Sequence, residues 1–168
     1  ADLYESYVGS ILATLALSTA AGYGWNGMFL PIAIAVVGVI SSVIGTFFIR
    51  TKEDADQKSL LKTLRTGTYT AAILAAVITA PLTYYVMDGK MGIYVAILCG
   101  LAAGCAIGYC TEYFTSDTYK PTKKLADASQ TGAATVVIGG IGLGLISTSA
   151  PILIVGAAVL ISFFAAGG

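Results

Sequence analysis

Five stretches of this chain, about residues 4–23, 29–49, 67–87, 91–111 and 148–167, are almost wholly apolar or small and nearly free of charge. Each approaches the roughly 20 residues that an α-helix needs to cross the hydrocarbon core of a bilayer. Runs of this length limit the chain to a few folds. The 168 residues are 57% hydrophobic and only 11% charged, and the mean hydropathy of +0.84 lies well outside soluble composition. The expected fold is all-α: a polytopic transmembrane helical bundle.

The charges that remain orient the spans. Nine basic and nine acidic residues cancel and histidine is absent, so no broad basic face is left for nucleic acid, and a nucleic-acid partner is excluded. Arg50, Lys52, Lys58, Lys62 and Arg65 gather in residues 50–66, while residues 22–28 carry no basic residue and the turn near Asp88 carries only Lys90. The positive-inside rule places the 50–66 loop in the cytoplasm, and Lys120, Lys123 and Lys124 place residues 112–131 on the same side. Tyr23, Trp25, Tyr84 and Tyr85 then fall near helix ends on the outer side, where aromatic rings anchor at the interface.

A sixth stretch, residues 132–147, is apolar but glycine-rich and is followed by the uncharged break Ser147-Thr148-Ser149-Ala150-Pro151. The preferred arrangement is a cytoplasmic-side helix over about 122–145, followed by a crossing at about 148–167 that opens at Pro151. Proline is best tolerated in a first helical turn, and the count is then five crossings. Gly100, Gly104 and Gly108 form a tandem G-x-x-x-G stripe that lets a neighbouring backbone approach closely. Cys99, Cys105 and Cys110 have no histidine or C-x-x-C companion and read as small buried packing residues. The chain opens at Ala1 on a helix-like segment without initiator Met or leader pattern, as a piece of something longer would.

Asp2 and Glu5 stand one helical turn apart at the head of an otherwise uncharged run from Val8 to Ala21, so both carboxylates share a helix face. An acid at bilayer depth costs about 2.5–3.5 kcal/mol even on the lenient insertion scale and points to ion or proton passage. The pair reads equally as N-terminal acids in water that favour the positive end of the helix dipole. Glu112, Asp117, Lys120, Lys123, Lys124 and Asp127 form a second charged cluster, explained as well by a solvated turn. Residue physics supplies no reaction. An ion pump, a secondary ion-coupled transporter and a non-catalytic membrane assembly subunit all stay open, although the internal repeat a transporter would show is absent.

Two motifs add a family. Ala1-Asp2-Leu3-Tyr4-Glu5-Ser6-Tyr7 resembles the segment that follows the D-N-V-G-D motif of membrane-integral pyrophosphatases. Thr111-Glu112-Tyr113-Phe114-Thr115-Ser116, continuing to Thr131-Gly132-Ala133-Ala134-Thr135, is similar to that family's T-E-Y-Y-T-S and T-G-A-A-T stretches in order and spacing. The resemblance implies a fragment of a sixteen-helix fold, its sixth through tenth helices, from a homodimeric pump. That pump would hydrolyse inorganic pyrophosphate with Mg2+ and carry Na+ or H+, with K+ as a possible activator. It further implies an ion gate at Asp2, Glu5 and Ser6, and a coupling or loop role for Glu112. Plant vacuolar members carry the gate glutamate at the position of Gly9; Glu5 with Gly9 instead resembles sodium-pumping members, or microbial proton-pumping ones with the same arrangement. With most of the metal-holding aspartates elsewhere, the chain by itself is expected to be inactive.

Overall fold

The computed structural model describes residues 2–50 and 56–167. Among these the chain forms helices α1 (Asp2–Ala20), α2 (Gly24–Thr46), α3 (Gln57–Val86), α4 (Met91–Thr115), α5 (Lys120–Ala128) and α6 (Ala133–Ala166), with a short 3-10 turn at Ser129–Thr131 before α6. The all-α expectation holds, and the protein is an integral multi-pass membrane protein. By length and composition four segments can cross a membrane: α2, α3, the run Met91–Thr131 that begins with α4, and α6. The 19-residue α1 is not among them, because two acids and dispersed Ser, Thr, Tyr and Gly dilute its hydropathy. By those criteria the expected five crossings are four candidates.

Helix ends depart from the expected bounds where polar segments are helical. α3 begins at Gln57, ten residues before the apolar run, so Lys58, Lys62 and Arg65 are helical and not part of a loop over 50–66. Leu, Lys, Gln and Arg are good helix formers whatever the solvent, and the Asp56 carboxylate accepts the Gln57 N–H at 2.9 Å. Residues 51–55 of that expected loop, Lys52 included, lie outside the described residues. α4 likewise continues to Thr115, into the expected 112–131 loop.

The expected helix over 122–145 and break at 147–151 are replaced by a break at Gly132 and one 34-residue helix with Pro151 inside it. Gly132 has φ 132° and ψ 167°, a conformation open almost solely to glycine. Around Pro151, the hydroxyls of Ser147, Thr148 and Ser149 donate to the carbonyls of Gly144, Leu145 and Ile146 at 2.7–2.9 Å. The polar run is therefore satisfied inside the helix, the way lipid-exposed helices accommodate serine, threonine and proline.

The helices group into two compact units. The first holds α1, α2, α3 from Ser59 onward and α4 up to Tyr94. α1 ends in a Schellman turn: Gly22 sits at φ 73°, Tyr23 N–H bonds Ser18 O at 3.2 Å and Gly22 N–H bonds Thr19 O at 3.1 Å. The chain thereby reverses into α2. α3 meets α2 at two buried glycines, where a Cβ on Gly45 would stand 3.0 Å from the Gly67 carbonyl, and one on Gly67 would stand 2.6 Å from Ile49 Cγ1. Ser41, Thr79 and Thr83 are the largest fully buried side chains, with Leu30 and Met87 the buried apolar ones. Small polar residues at the tightest contacts are the packing rule of membrane helices. α3 and α4 are joined by Asp88 (φ 50°) and Gly89 (φ 80°), and Tyr94 Oη donates to Ala76 O at 3.1 Å. Lys90 stands 5.0 Å over the Tyr23 ring, among the aromatic residues expected at the outer side.

The second unit holds the rest of α4 with α5 and α6. Ser162 Oγ donates to Ala96 O at 3.4 Å, and the Cys99 thiol lies 3.8 Å from Ala158 O. The three cysteines are free and half-buried, more open than expected. α5 seats Leu125 against Gly139, where a Cβ would come to 3.2 Å. The Gly100, Gly104 and Gly108 stripe has nothing within 4 Å among the described residues, because α6 meets α4 through Ala96 and Cys99 instead.

Gly67→Ala is expected to destabilise the α2–α3 contact by about 1–3 kcal/mol through overpacking against Ile49. A lowered thermal midpoint in detergent, partly restored by adding Ile49→Val, would register it; an unchanged midpoint in the single variant would contradict the close crossing.

Candidate functional site

Asp2, Glu5 and Ser6 occupy the first two turns of α1, on the same side of the helix, as their spacing required. All three are exposed. The serine and threonine hydroxyls that follow turn back onto their own helix, Ser10 Oγ to Ser6 O at 2.7 Å and Thr14 Oγ1 to Ser10 O at 2.8 Å. They offer no second wall to the acids.

What fixes this face is the opposite side of the helix. Tyr7 Oη donates to Ala35 O of α2 at 2.8 Å, and Tyr7 and Ile11 line a groove with Ile32, Val36 and Ile40 of α2. Further along, Ser18 lies against Gly27, where a Cβ would come within 3.3 Å. Positions 7, 11 and 18 fall within about 40° of one another at 3.6 residues per turn, whereas 2, 5, 6 and 9 centre about 170° away. α2 therefore holds the back of α1, and the carboxylates point away from it.

Glu112 lies in the other unit, half-buried near the end of α4. Tyr119 Oη donates to its Oε1 at 3.2 Å, and the Tyr113 ring packs 5.3 Å from Tyr119 and 5.1 Å from Phe114. Ser116 and Thr118 pair their hydroxyls at 2.9 Å, and Thr122 Oγ1 donates to Phe114 O at 3.2 Å. The geometry makes Glu112 the acceptor that helps close the α4–α5 corner. Sequence reasoning missed Tyr7 and Tyr119; the only local signal for Tyr7 is its i, i+4 pairing with Ile11, and for Tyr119 there is none.

Among the described residues no three His, Cys, Asp or Glu side chains gather closely enough to hold a metal ion. The donors among the described residues do not fit a magnesium site.

The profile of the family described as "Inorganic H+ pyrophosphatase" matches residues 1–168. A Bacteroides thetaiotaomicron protein named as a K(+)-stimulated pyrophosphate-energized sodium pump is 43% identical over 176 residues, covering the whole chain and 24% of that protein. A Clostridium tetani protein of the same description is 39% identical over 168 residues, again the whole chain and 24% of the relative. A Moorella thermoacetica protein named as a K(+)-insensitive pyrophosphate-energized proton pump is 32% identical over 166 residues, 95% of the chain and 24% of the relative. The chain thus spans about a quarter of the length of the curated relatives it matches.

Tyr119→Phe is expected to cost about 1 kcal/mol, the net worth of one hydrogen bond, and to speed amide exchange over residues 116–120. Exchange rates there that match the unaltered chain would show that the Glu112 contact does not hold the corner.

Proposed function

The chain belongs to the inorganic H+ pyrophosphatase family, and from that premise we propose that it is the gate-bearing part of a primary pump that couples pyrophosphate hydrolysis to cation movement. The carrying observation is the pair Asp2 and Glu5, joined by Ser6, on the one face of α1 that α2 leaves open. α1 is then a fifth crossing, with its acid end at the cytoplasmic side. The homodimer, the magnesium that accompanies pyrophosphate and the potassium requirement enter the same proposal from the family resemblance.

Sodium is the preferred cargo. Glu5 with Gly9 supports it, and so do the two sodium-pump relatives at 43% and 39% identity, against 32% for the proton-pump relative. In this reading, hydrolysis shifts α1 between two positions. Asp2 and Glu5 bind a cation where their charges are desolvated and close together, and release it where water or a basic group relieves them. A ligand moves such an equilibrium only by its differential affinity for the two positions, so the carboxylates must meet different surroundings in each. The 168-residue chain alone supplies the cation ligands and no hydrolytic centre, and is expected to cleave no pyrophosphate.

In the full-length protein carrying this segment, Asp2→Asn is expected to lower both pumping and hydrolysis at least about tenfold, a loss of about 1.4 kcal/mol or more. Glu5→Ala is expected to raise the sodium concentration for half-maximal activity by a similar factor while sparing the fold. Transport into vesicles with and without sodium, and with a protonophore, reads both effects. Full activity and unaltered sodium dependence in both variants would sink the gate assignment, and sodium-independent proton uptake would replace the cargo.

A further inference from the structure

We propose that Tyr7 is the positioning residue of the gate: its hydrogen bond to α2 sets the rotation of α1 about its own axis, and with it the direction in which Asp2 and Glu5 point. The inference rests on the gate reading above for its functional consequence, but its structural content stands on three observations.

The first is the bond itself. At 2.8 Å, Tyr7 Oη to Ala35 O is the one side-chain hydrogen bond from α1 to the backbone of α2 among the described residues. The second is its setting, since the groove around it is made of Ile11, Ile32, Val36, Val39 and Ile40. Tyr7 is 41% exposed on the chain itself, and hydrocarbon against that side would offer the phenol no competing acceptor, so the bond to Ala35 O selects one orientation. The apolar residues fix the distance between the helices but tolerate slippage; the hydroxyl fixes the angle. The third is the opposition of the two stripes on α1, about 170° apart by helical geometry. A roll of α1 that broke the Tyr7 contact would swing the carboxylates through the same angle. Glu5 is two residues from Tyr7, so little helix lies between the two to absorb the rotation.

The test uses the full-length protein with Tyr7→Phe, which keeps the ring in its groove and removes only the hydroxyl. A reporter cysteine at Gly9, on the acid stripe where an added Cβ meets nothing within 4 Å, is labelled with a water-soluble thiol reagent. The other cysteines are replaced by alanine. Adding Tyr7→Phe is expected to change the labelling rate at Gly9→Cys about threefold or more, the scale set by one hydrogen bond. Without the reporter, Tyr7→Phe is expected to raise the half-maximal sodium concentration by a similar factor, with kcat at saturating sodium within about twofold. An unchanged labelling rate overturns the proposal, as does a Tyr7→Phe protein that fails to fold, which would make the residue a folding contact. Glu5→Ala separates the two readings. If Glu5→Ala alters sodium dependence and Tyr7→Phe does not, the positioning role is wrong and the gate survives. If labelling changes while neither variant alters sodium dependence, Tyr7 sets the rotation but the face it directs is not a cation gate.

Discussion

Hydrocarbon offers no hydrogen bonds, so each peptide N–H and C=O placed in it must find a partner within the protein, at a cost of several kcal/mol where it does not. That constraint accounts for much of the local structure. It turns the apolar runs into helices and sends the hydroxyls of Ser10, Thr14, Ser147, Thr148 and Ser149 back onto nearby carbonyls. Long-range polar contacts become scarce under the same rule, and the few that form are correspondingly directive. Tyr7 to Ala35 and Tyr94 to Ala76 link neighbouring helices by a phenol and a main-chain oxygen, with no charged pair needed.

Much of this is written in the chain, and the exceptions share a cause. Apolar length marks where helices must exist, but hydropathy measures depth in the bilayer and not helical conformation. Gln57 to Thr66 is polar and helical, and so reads as loop. At Ser147 to Pro151 the polarity is again real, yet it is absorbed by side chains bonding within the helix, while the true interruption is the single positive-φ glycine at 132. The candidate site divides the same way. Asp2 and Glu5 are legible because a helix face depends only on local spacing. Tyr7 to Ala35 and Tyr119 to Glu112 join residues 28 and 7 apart across a reversal or a corner, and no local pattern encodes such a partner.

Two contacts within the first unit contrast in a way that bears on motion. α2 and α3 approach at Gly45 and Gly67 so closely that an added methyl group has no room. A contact of that kind resists sliding, because close-packed interfaces shift between discrete arrangements and do not deform continuously. α1 touches α2 along one stripe and is otherwise open, with Leu3 86% and Leu17 70% exposed. A helix held along one stripe beside a close-packed pair can be displaced at the looser contact without unsettling the tighter one.

α6 carries no ionisable side chain along its 34 residues, and at 1.5 Å per residue it is about 51 Å long against a hydrocarbon thickness of about 30 Å. Such a rod has no internal mark of its own immersion: it can tilt or ride up and down with little electrostatic penalty, and hydrophobic mismatch restrains it only gently. Its vertical register must be borrowed from its attachments. Leu125 seated at Gly139 ties it to the lysine-bearing α5 at one end, while the Phe163 and Phe164 rings, 5.7 Å apart, mark the other. Membrane thickness thereby becomes a mechanical variable for this half of the chain, and lipids of different acyl length should reset the tilt of α6 before they disturb the glycine-locked pair.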